Sequence, residues 1–331
     1  MEALNGVIHD LLRNNPVILL DGGLATQIES MGYKLDSDLW SALLIKTHPR
    51  VIVEAHKRFL QAGSQIIITS TYQGSKEGFM HVLQCNETEA LALLKSSVEL
   101  AKSARAEYLS EYSKGSNPPL IAVAASCGPY GAILHDGSEY TGKYSHMGER
   151  AANIIENFHR DRLALLDSTG ADIIAIETIP SGMEAKILLR LTKTLKTPYW
   201  ISYCCKDGFH LSDGTKLFDV VRHFVDEKNC VAVGVNCCSP DHVDSLLAEA
   251  RRALGSQRKP IIAYPNSGET WDTHEKHWTI DDDENGRENT FEQNCCKWIE
   301  HGGVSIIGGC CRVNSMQIAK LKSILQIRGV L

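Results

Sequence analysis

Eight short apolar runs punctuate the chain, at 17–21, 66–70, 120–125, 173–177, 199–203, 231–235, 261–264 and 304–307, each ending in a polar or glycine-rich turn. Runs of this length, rich in β-branched residues, read as parallel strands covered on both faces. Between them lie segments with apolar residues at helical spacing, among them 89–109, 151–168, 183–194, 217–226, 242–253 and 291–301. Strand and helix in alternation predict a parallel sheet with crossover helices, and eight repeats predict a closed (β/α)8 TIM barrel. An open doubly wound sheet is the alternative, but no Gly-x-Gly-x-x-Gly follows the first run to support it. Surplus length falls in three connections, 26–64, 126–150 and 267–290. In a barrel the loops after the strands form the functional mouth, so these long βα loops at the C-terminal face are expected to act as lids. No linker divides the sequence, and residues 1–331 are expected to form one domain.

The composition, 43% hydrophobic and 22% charged, is ordinary for a soluble protein with a sizeable core. A net charge of −6 argues against a nucleic-acid partner. No apolar stretch approaches the roughly 18 residues of a membrane span, and the start, with Glu2 and Asp10, does not read as a leader. The oligomeric state is left open, with a monomer as the simplest expectation. Eleven cysteines include four vicinal pairs, Cys204-Cys205, Cys237-Cys238, Cys295-Cys296 and Cys310-Cys311. That clustering is unlike a secreted disulfide framework and points to free thiols in a reducing compartment, some of them on metal. A cytoplasmic location is expected.

Read in order, the strand ends offer Asp21-Gly22-Gly23, then Ser70-Thr71-Tyr72, Glu177-Thr178, Asn236-Cys237, Tyr264-Pro265-Asn266-Ser267-Gly268 and Gly309-Cys310-Cys311. In a barrel these form one ring at the catalytic face. Three converging sulfurs, Cys237, Cys310 and Cys311, would hold a zinc ion and leave its fourth position open, the arrangement of a catalytic metal. Neighbouring strand residues face opposite ways, so Gly308-Gly309 is expected to supply the backbone freedom that turns both thiols inward. A lone cysteine is ordinarily a small buried hydrophobe. That role is expected for Cys85, Cys127, Cys204, Cys205, Cys230, Cys238, Cys295 and Cys296, with Cys204-Cys205 the pair nearest to joining the site. His274 and His277 are zinc-type donors but lie in a polar segment that reads as a solvated loop. Asp21-Gly22-Gly23 offers backbone N–H groups suited to a carboxylate. Glu177, after a wholly apolar strand, would be costly to bury without a cation. Together they suggest a clamp for an amino acid.

At these residues the chain resembles the homocysteine S-methyltransferase family, whose relatives include betaine–homocysteine methyltransferase and the homocysteine domain of cobalamin-dependent methionine synthase. Asp21-Gly22-Gly23, Gly234-Val235-Asn236-Cys237 and Gly308-Gly309-Cys310-Cys311 carry the likeness, which spans nearly the whole chain. Glu177-Thr178-Ile179-Pro180, Leu211-Ser212-Asp213-Gly214 and the motif from Tyr264 to Gly268 look like the branch that uses S-methylmethionine. The resemblance implies a barrel with one zinc on Cys237, Cys310 and Cys311. It implies that Asp21, Gly22 and Glu177 hold homocysteine, with Ser70, Thr71, Tyr72, Asn236 and Tyr264 as further substrate contacts. The activity implied is methyl transfer from S-methylmethionine, or less well S-adenosylmethionine, to homocysteine, giving methionine. Tyr72, Tyr264 and Trp271 are the aromatic candidates to hold a sulfonium. Betaine is the alternative donor. The competing readings are a zinc hydrolase and a structural or redox zinc-thiolate protein.

Overall fold

The computed structural model describes residues 6–37, 39–111, 117–268, 270–272, 277–279 and 290–331. Eight parallel strands form the barrel: β1 (Ile18–Leu19), β2 (Ile66–Ile68), β3 (Ala122–Cys127), β4 (Ile173–Ile179), β5 (Tyr199–Tyr203), β6 (Cys230–Asn236), β7 (Ile261–Tyr264) and, after the small β8–β9 hairpin (Thr270–Asp272, His277–Thr279), β10 (Val304–Ile307). They pair in the order β1-β10-β7-β6-β5-β4-β3-β2. The remaining seam closes through a parallel bridge between Leu20 and Ile66, with Gln65 N–H donating to Leu19 O at 2.7 Å and Asp21 N–H to Ile66 O at 3.1 Å. The fold is the expected (β/α)8 barrel.

The alternation of a strand sorts its residues into two cores. Val17, Leu19, Val123, Ala125, Ile174 and Ile176 face outward and pack against the helices. Ile18, Leu20, Ala122, Ala124, Ile173, Ala175, Trp200, Ile262 and Ile306 face inward. A helix at Val7–Asn14, which the sequence pattern did not suggest, brings Ile8 and Leu11 into that inner cluster. The inner apolar cluster is therefore sealed from one end, and polar chemistry is left to the strand C-termini.

Two of the three long connections are more structured than lids. Connection 26–64 contains the helix Pro49–Ala62, the crossover that follows β1. In connection 126–150, Ser126 and Cys127 still belong to β3, residues 148–150 open the helix Gly148–Asp167, and between them lie three tight turns at Tyr130–Ile133, Ser138–Tyr140 and Lys143–Met147. These turns are pinned from below: Glu184, fully buried, accepts from Tyr130 N–H at 2.7 Å and from the Tyr144 hydroxyl. His159 lies 2.7 Å from the same carboxylate, and that contact helps hold its pKa up, to about 9, against burial. A hydrogen-bonded pair buried this way fixes the loop to the helices beneath it. In the third connection, His274 and the side chains of Trp271 and His277 fall outside what the structure describes.

Leu11 is completely buried in the inner cluster. Leu11→Ala should lower the unfolding free energy by about 2–4 kcal/mol, read by denaturant titration. An effect below about 0.5 kcal/mol would show that the N-terminal helix does not plug the barrel.

Candidate functional site

The strand ends are bound to one another by main chain. At β10, Gly308 N–H donates to Ala263 O at 3.1 Å, Gly309 N–H to Asp21 O at 3.0 Å and Cys310 N–H to Pro265 O at 2.8 Å. Cys311 N–H donates to Asn266 Oδ1 at 3.2 Å, and Ser267 N–H returns a bond to Cys311 O at 3.1 Å. On the other side Gly23 N–H donates to Val313 O at 2.9 Å, and Arg312 N–H to Thr26 Oγ1 at 3.0 Å. The cysteine turn is thus gripped by the β7 loop and the β1 loop together.

The glycines serve that grip through their lack of a side chain. A Cβ on Gly308 would lie 2.5 Å from Asp21 O, and one on Gly23 would lie 2.5 Å from Cys310 O. The expectation that Gly308-Gly309 turns the thiols inward through backbone freedom is corrected, since neither residue has a positive φ. The left-handed conformations belong instead to Cys237 (φ 49°) and Arg312 (φ 65°). Thr178 (φ 60°) and Trp40 (φ 47°) bring to four the strained non-glycine residues at this mouth. Such conformations cost of order 1–3 kcal/mol each and persist where the surroundings over-determine them.

The strand ends deliver the three expected sulfurs to one place. The Sγ atoms of Cys237, Cys310 and Cys311 all lie within 4.8 Å of one another, and among the described residues no other group of three potential ligands does so. Cys237 and Cys310 are joined as a disulfide with Cα atoms 5.5 Å apart, while Cys311 and eight others are free. Where free or metal-bound thiols are expected, these two positions carry a disulfide instead. Sulfurs brought near enough to share an ion are near enough to bond each other, and disulfide and metal are alternative uses of one pair, because a ligand must be a thiolate. Cys204 stays outside the cluster. Its buried thiol donates to Cys237 O at 3.5 Å, and burial pushes its pKa up to about 12. Cys127, Cys205, Cys230, Cys238, Cys295 and Cys296 pack in the outer core.

The sulfurs form one wall of a cavity also lined by Gly22, Ser70, Tyr72, Glu177 and Tyr264. Glu177 reaches it through a β-bulge: the β4–β5 register shifts between Ile176 and Ile179, which gives β4 an extra residue there. Ser126 donates to Glu177 Oε1 at 2.5 Å and Tyr264 to Oε2 at 3.1 Å. Burial nevertheless raises the Glu177 pKa to about 7. Asp21 stands behind the lining, with Oδ2 accepting from Ile68 N–H at 2.7 Å and Oδ1 buried without a partner. Its pKa is raised well above the carboxylate range by burial and, further, by the charge of Glu177. Two acids whose charge is disfavoured, chiefly by desolvation, make a site that favours a cation.

Asn236 and Thr71 do not line the cavity. Asn236 is fully buried and straps the bulge, accepting Thr178 N–H at 2.8 Å and donating to Thr178 Oγ1 at 2.7 Å. The Thr71 hydroxyl donates to Ser126 O at 2.8 Å, and the Ser70 hydroxyl pairs with Ser97 at 2.9 Å. The Tyr264 hydroxyl is shared among Trp200 Nε1 at 3.0 Å, Ser202 at 2.7 Å and Glu177. Sequence reasoning missed Trp40, Thr26 and Tyr140, which line the cavity from the long connections. It also missed Arg162, whose buried guanidinium donates to Thr71 O, to Tyr72 O at 3.0 Å and to Gly74 O at 2.7 Å, holding the turn that carries Tyr72. A lone arginine on an otherwise amphipathic helix offers no signal of that kind.

Comparison with known proteins decides the family. The model of the homocysteine S-methyltransferase family matches residues 18–325. The chain belongs to the homocysteine S-methyltransferase family. Homocysteine S-methyltransferase YbgG of Bacillus subtilis (strain 168) is 39% identical over 317 residues, which cover 95% of this chain and 96% of that protein. The crystal structure of the homocysteine methyltransferase MmuM from Escherichia coli in its metallated form superposes with a TM-score of 0.80 at 34% identity, covering 96% of this chain and 99% of that one. Its oxidized form gives 0.81 at 35% identity, covering 97% and 100%. As a homocysteine S-methyltransferase family member this chain is an enzyme, and its own cysteine cluster has the composition of a metal site. Among its described residues no helix is long and apolar enough to cross a membrane.

The raised Glu177 pKa carries a stability consequence. A carboxyl whose folded pKa lies above its unfolded value adds stability below the unfolded pKa, and that stability is lost as pH rises through the folded one. For Glu177 the window is from 4.5 to about 7. Between pH 5 and pH 8 the unfolding free energy of ligand-free Glu177→Gln should therefore rise by roughly 2–3 kcal/mol relative to that of wild type. Parallel pH profiles of denaturant stability for the two proteins would contradict the burial account.

Proposed function

We propose that the chain transfers a methyl group from S-methylmethionine to the sulfur of homocysteine, using one zinc held by Cys237, Cys310 and Cys311, and giving methionine. The carrying observation is that one cavity wall of three cysteine sulfurs faces a space shared with a buried carboxylate and a backbone amide, that of Gly22, with no hydrogen-bond partner among the described residues. Family membership supports homocysteine as the acceptor. S-adenosylmethionine is a second, poorer sulfonium donor in this scheme. A reducing compartment such as the cytoplasm suits a site that needs all three thiolates, and residues 1–331 act as one homocysteine-binding domain.

The donor set fits zinc, since thiolates are its preferred protein ligands and three of them leave a fourth position. When bound, the metal supplies a Lewis acid that keeps a thiol of ordinary pKa near about 8.5 deprotonated at neutral pH. The chain's own residues do the positioning. Glu177 and Asp21 hold the homocysteine ammonium, and that cation restores the charge that burial had suppressed. The Gly22 amide takes the carboxylate. The Tyr72 hydroxyl, buried and unpartnered, is free to orient a second ligand, while the hydroxyls of Ser70 and Thr71 are committed to the protein. The homocysteine sulfur pair forms the new S–C bond as the donor's S–CH3 bond breaks. The departing pair stays on the donor sulfur, which leaves as the neutral thioether of a second methionine. No proton moves in that step, so the site needs no general acid. Opposite charges on donor and thiolate vanish together, and a cavity lined in part by the aromatic rings of Trp40 and Tyr140 favours this loss of charge.

Reduced protein titrated with zinc should retain about one equivalent per chain. Cys310→Ala should lose metal and turnover together, whereas Cys204→Ala should keep both. Zinc and activity surviving in Cys310→Ala would overturn the ligand assignment. Parallel assays should rank S-methylmethionine above S-adenosylmethionine and both above betaine. Faster turnover with betaine would replace the donor.

A further inference from the structure

Beside the cavity lies an acid that no step above uses. Glu139 sits in the Ser138–Tyr140 turn, 6% exposed, with Oε2 buried and lacking any hydrogen-bond partner. No described cationic side chain pairs with it, and the charge acting on it is another acid, Asp136. Its chain neighbour Tyr140 lines the cavity together with Tyr72 and Cys311. Burial and, after it, the Glu139 charge raise the pKa of the Tyr72 phenol, and Glu139 itself stands one residue along the chain from the lining. The turn is not free to move it away. Gly142 N–H closes on Ser138 O at 2.8 Å, a Cβ on Gly131 would lie 2.6 Å from Glu139 N, and Glu184 anchors the flanking tyrosines.

A carboxyl buried with no cation is costly when ionised, and burial accordingly raises the Glu139 pKa to about 7. The cost is removed if a cationic ligand binds beside it. In the proposed function Glu177 and Asp21 already account for the ammonium group of homocysteine. A methyl donor must bring its reactive atom next to the sulfurs, which share the cavity with Tyr72 and Tyr140. A sulfonium has no hydrogen to donate, so it is recognised by field alone, from aromatic faces and from an unpaired anion. We propose that Glu139 is the counter-charge for the methyl donor, selecting a sulfonium over a neutral group of the same shape. This rests on the sulfonium-donor reading given above and adds the residue that enforces it.

The test compares S-methylmethionine with 2-amino-5-methylhexanoate, its uncharged isostere with CH in place of S+, as ligands of the zinc-loaded enzyme. Wild type should bind the sulfonium at least tenfold more tightly, and Glu139→Gln should reduce that preference about tenfold. The same variant should raise the KM for S-methylmethionine about tenfold, while zinc content and the KM for homocysteine stay within twofold. Glu139→Met, close in volume and apolar, should behave likewise and guards against a folding defect confined to one variant. An unchanged preference in both variants, or none in wild type, overturns the role of Glu139. Absence of methyl transfer from S-methylmethionine by wild type overturns the donor reading instead, and the binding ratio still decides whether Glu139 recognises the cation.

Discussion

The backbone contact between the β1 and β10 loops is the constraint on which the site depends. Gly309 donates to the carbonyl of Asp21, Gly23 donates to that of Val313, and the two glycine pairs approach so closely that a methyl group on either side would meet a carbonyl oxygen. This contact extends the β1–β10 pairing past the strand ends and sets the spacing between the proposed amino-acid clamp at Asp21-Gly22 and the sulfurs of Cys310 and Cys311. The β7 loop, through Pro265, Asn266 and Ser267, holds the cysteine turn from its other side. A site built from backbone hydrogen bonds varies little in shape, which suits a reaction that requires sulfur, carbon and sulfur in line.

Within that frame the electrostatics follow from burial. Glu177, Asp21 and Glu139 are all acids in places that disfavour their charge. An isolated buried carboxylate weakens a protein, and three around one cavity are hard to explain by folding alone. They make sense where cations arrive as ligands, since each ligand charge restores what desolvation removed. Strain is concentrated at the same mouth, at Trp40, Thr178, Cys237 and Arg312, with Asn236 strapping Thr178 in place.

Barrel and cysteine cluster were legible in the chain because both rest on local signals. Buried parallel strands need uninterrupted apolar runs, and thiols at two strand ends must meet if the sheet closes. What escaped depends on partners distant in sequence. The helix Pro49–Ala62 was read as part of a loop because Val51, Ile52, Val53 and Ala55 bury more than one stripe and blur the helical period. Asn236 was read as a ligand contact, although its amide is consumed by a strained turn 58 residues earlier. The role given to Gly308-Gly309 reversed for a similar reason: the need for glycine came from the Asp21 carbonyl pressing on Gly308 and the Val313 side chain pressing on Gly309. Arg162 and Glu139 carry no motif at all, and only the fold reveals what their side chains face.

The central claim is that three protein sulfurs hold a metal whose fourth position is taken by the substrate's own sulfur. Zinc K-edge X-ray absorption on the reduced, zinc-loaded protein tests it most directly. Three sulfur neighbours and one lighter atom should become four sulfurs when homocysteine is added. Four sulfurs before homocysteine, or three that persist after saturation with it, would contradict the account.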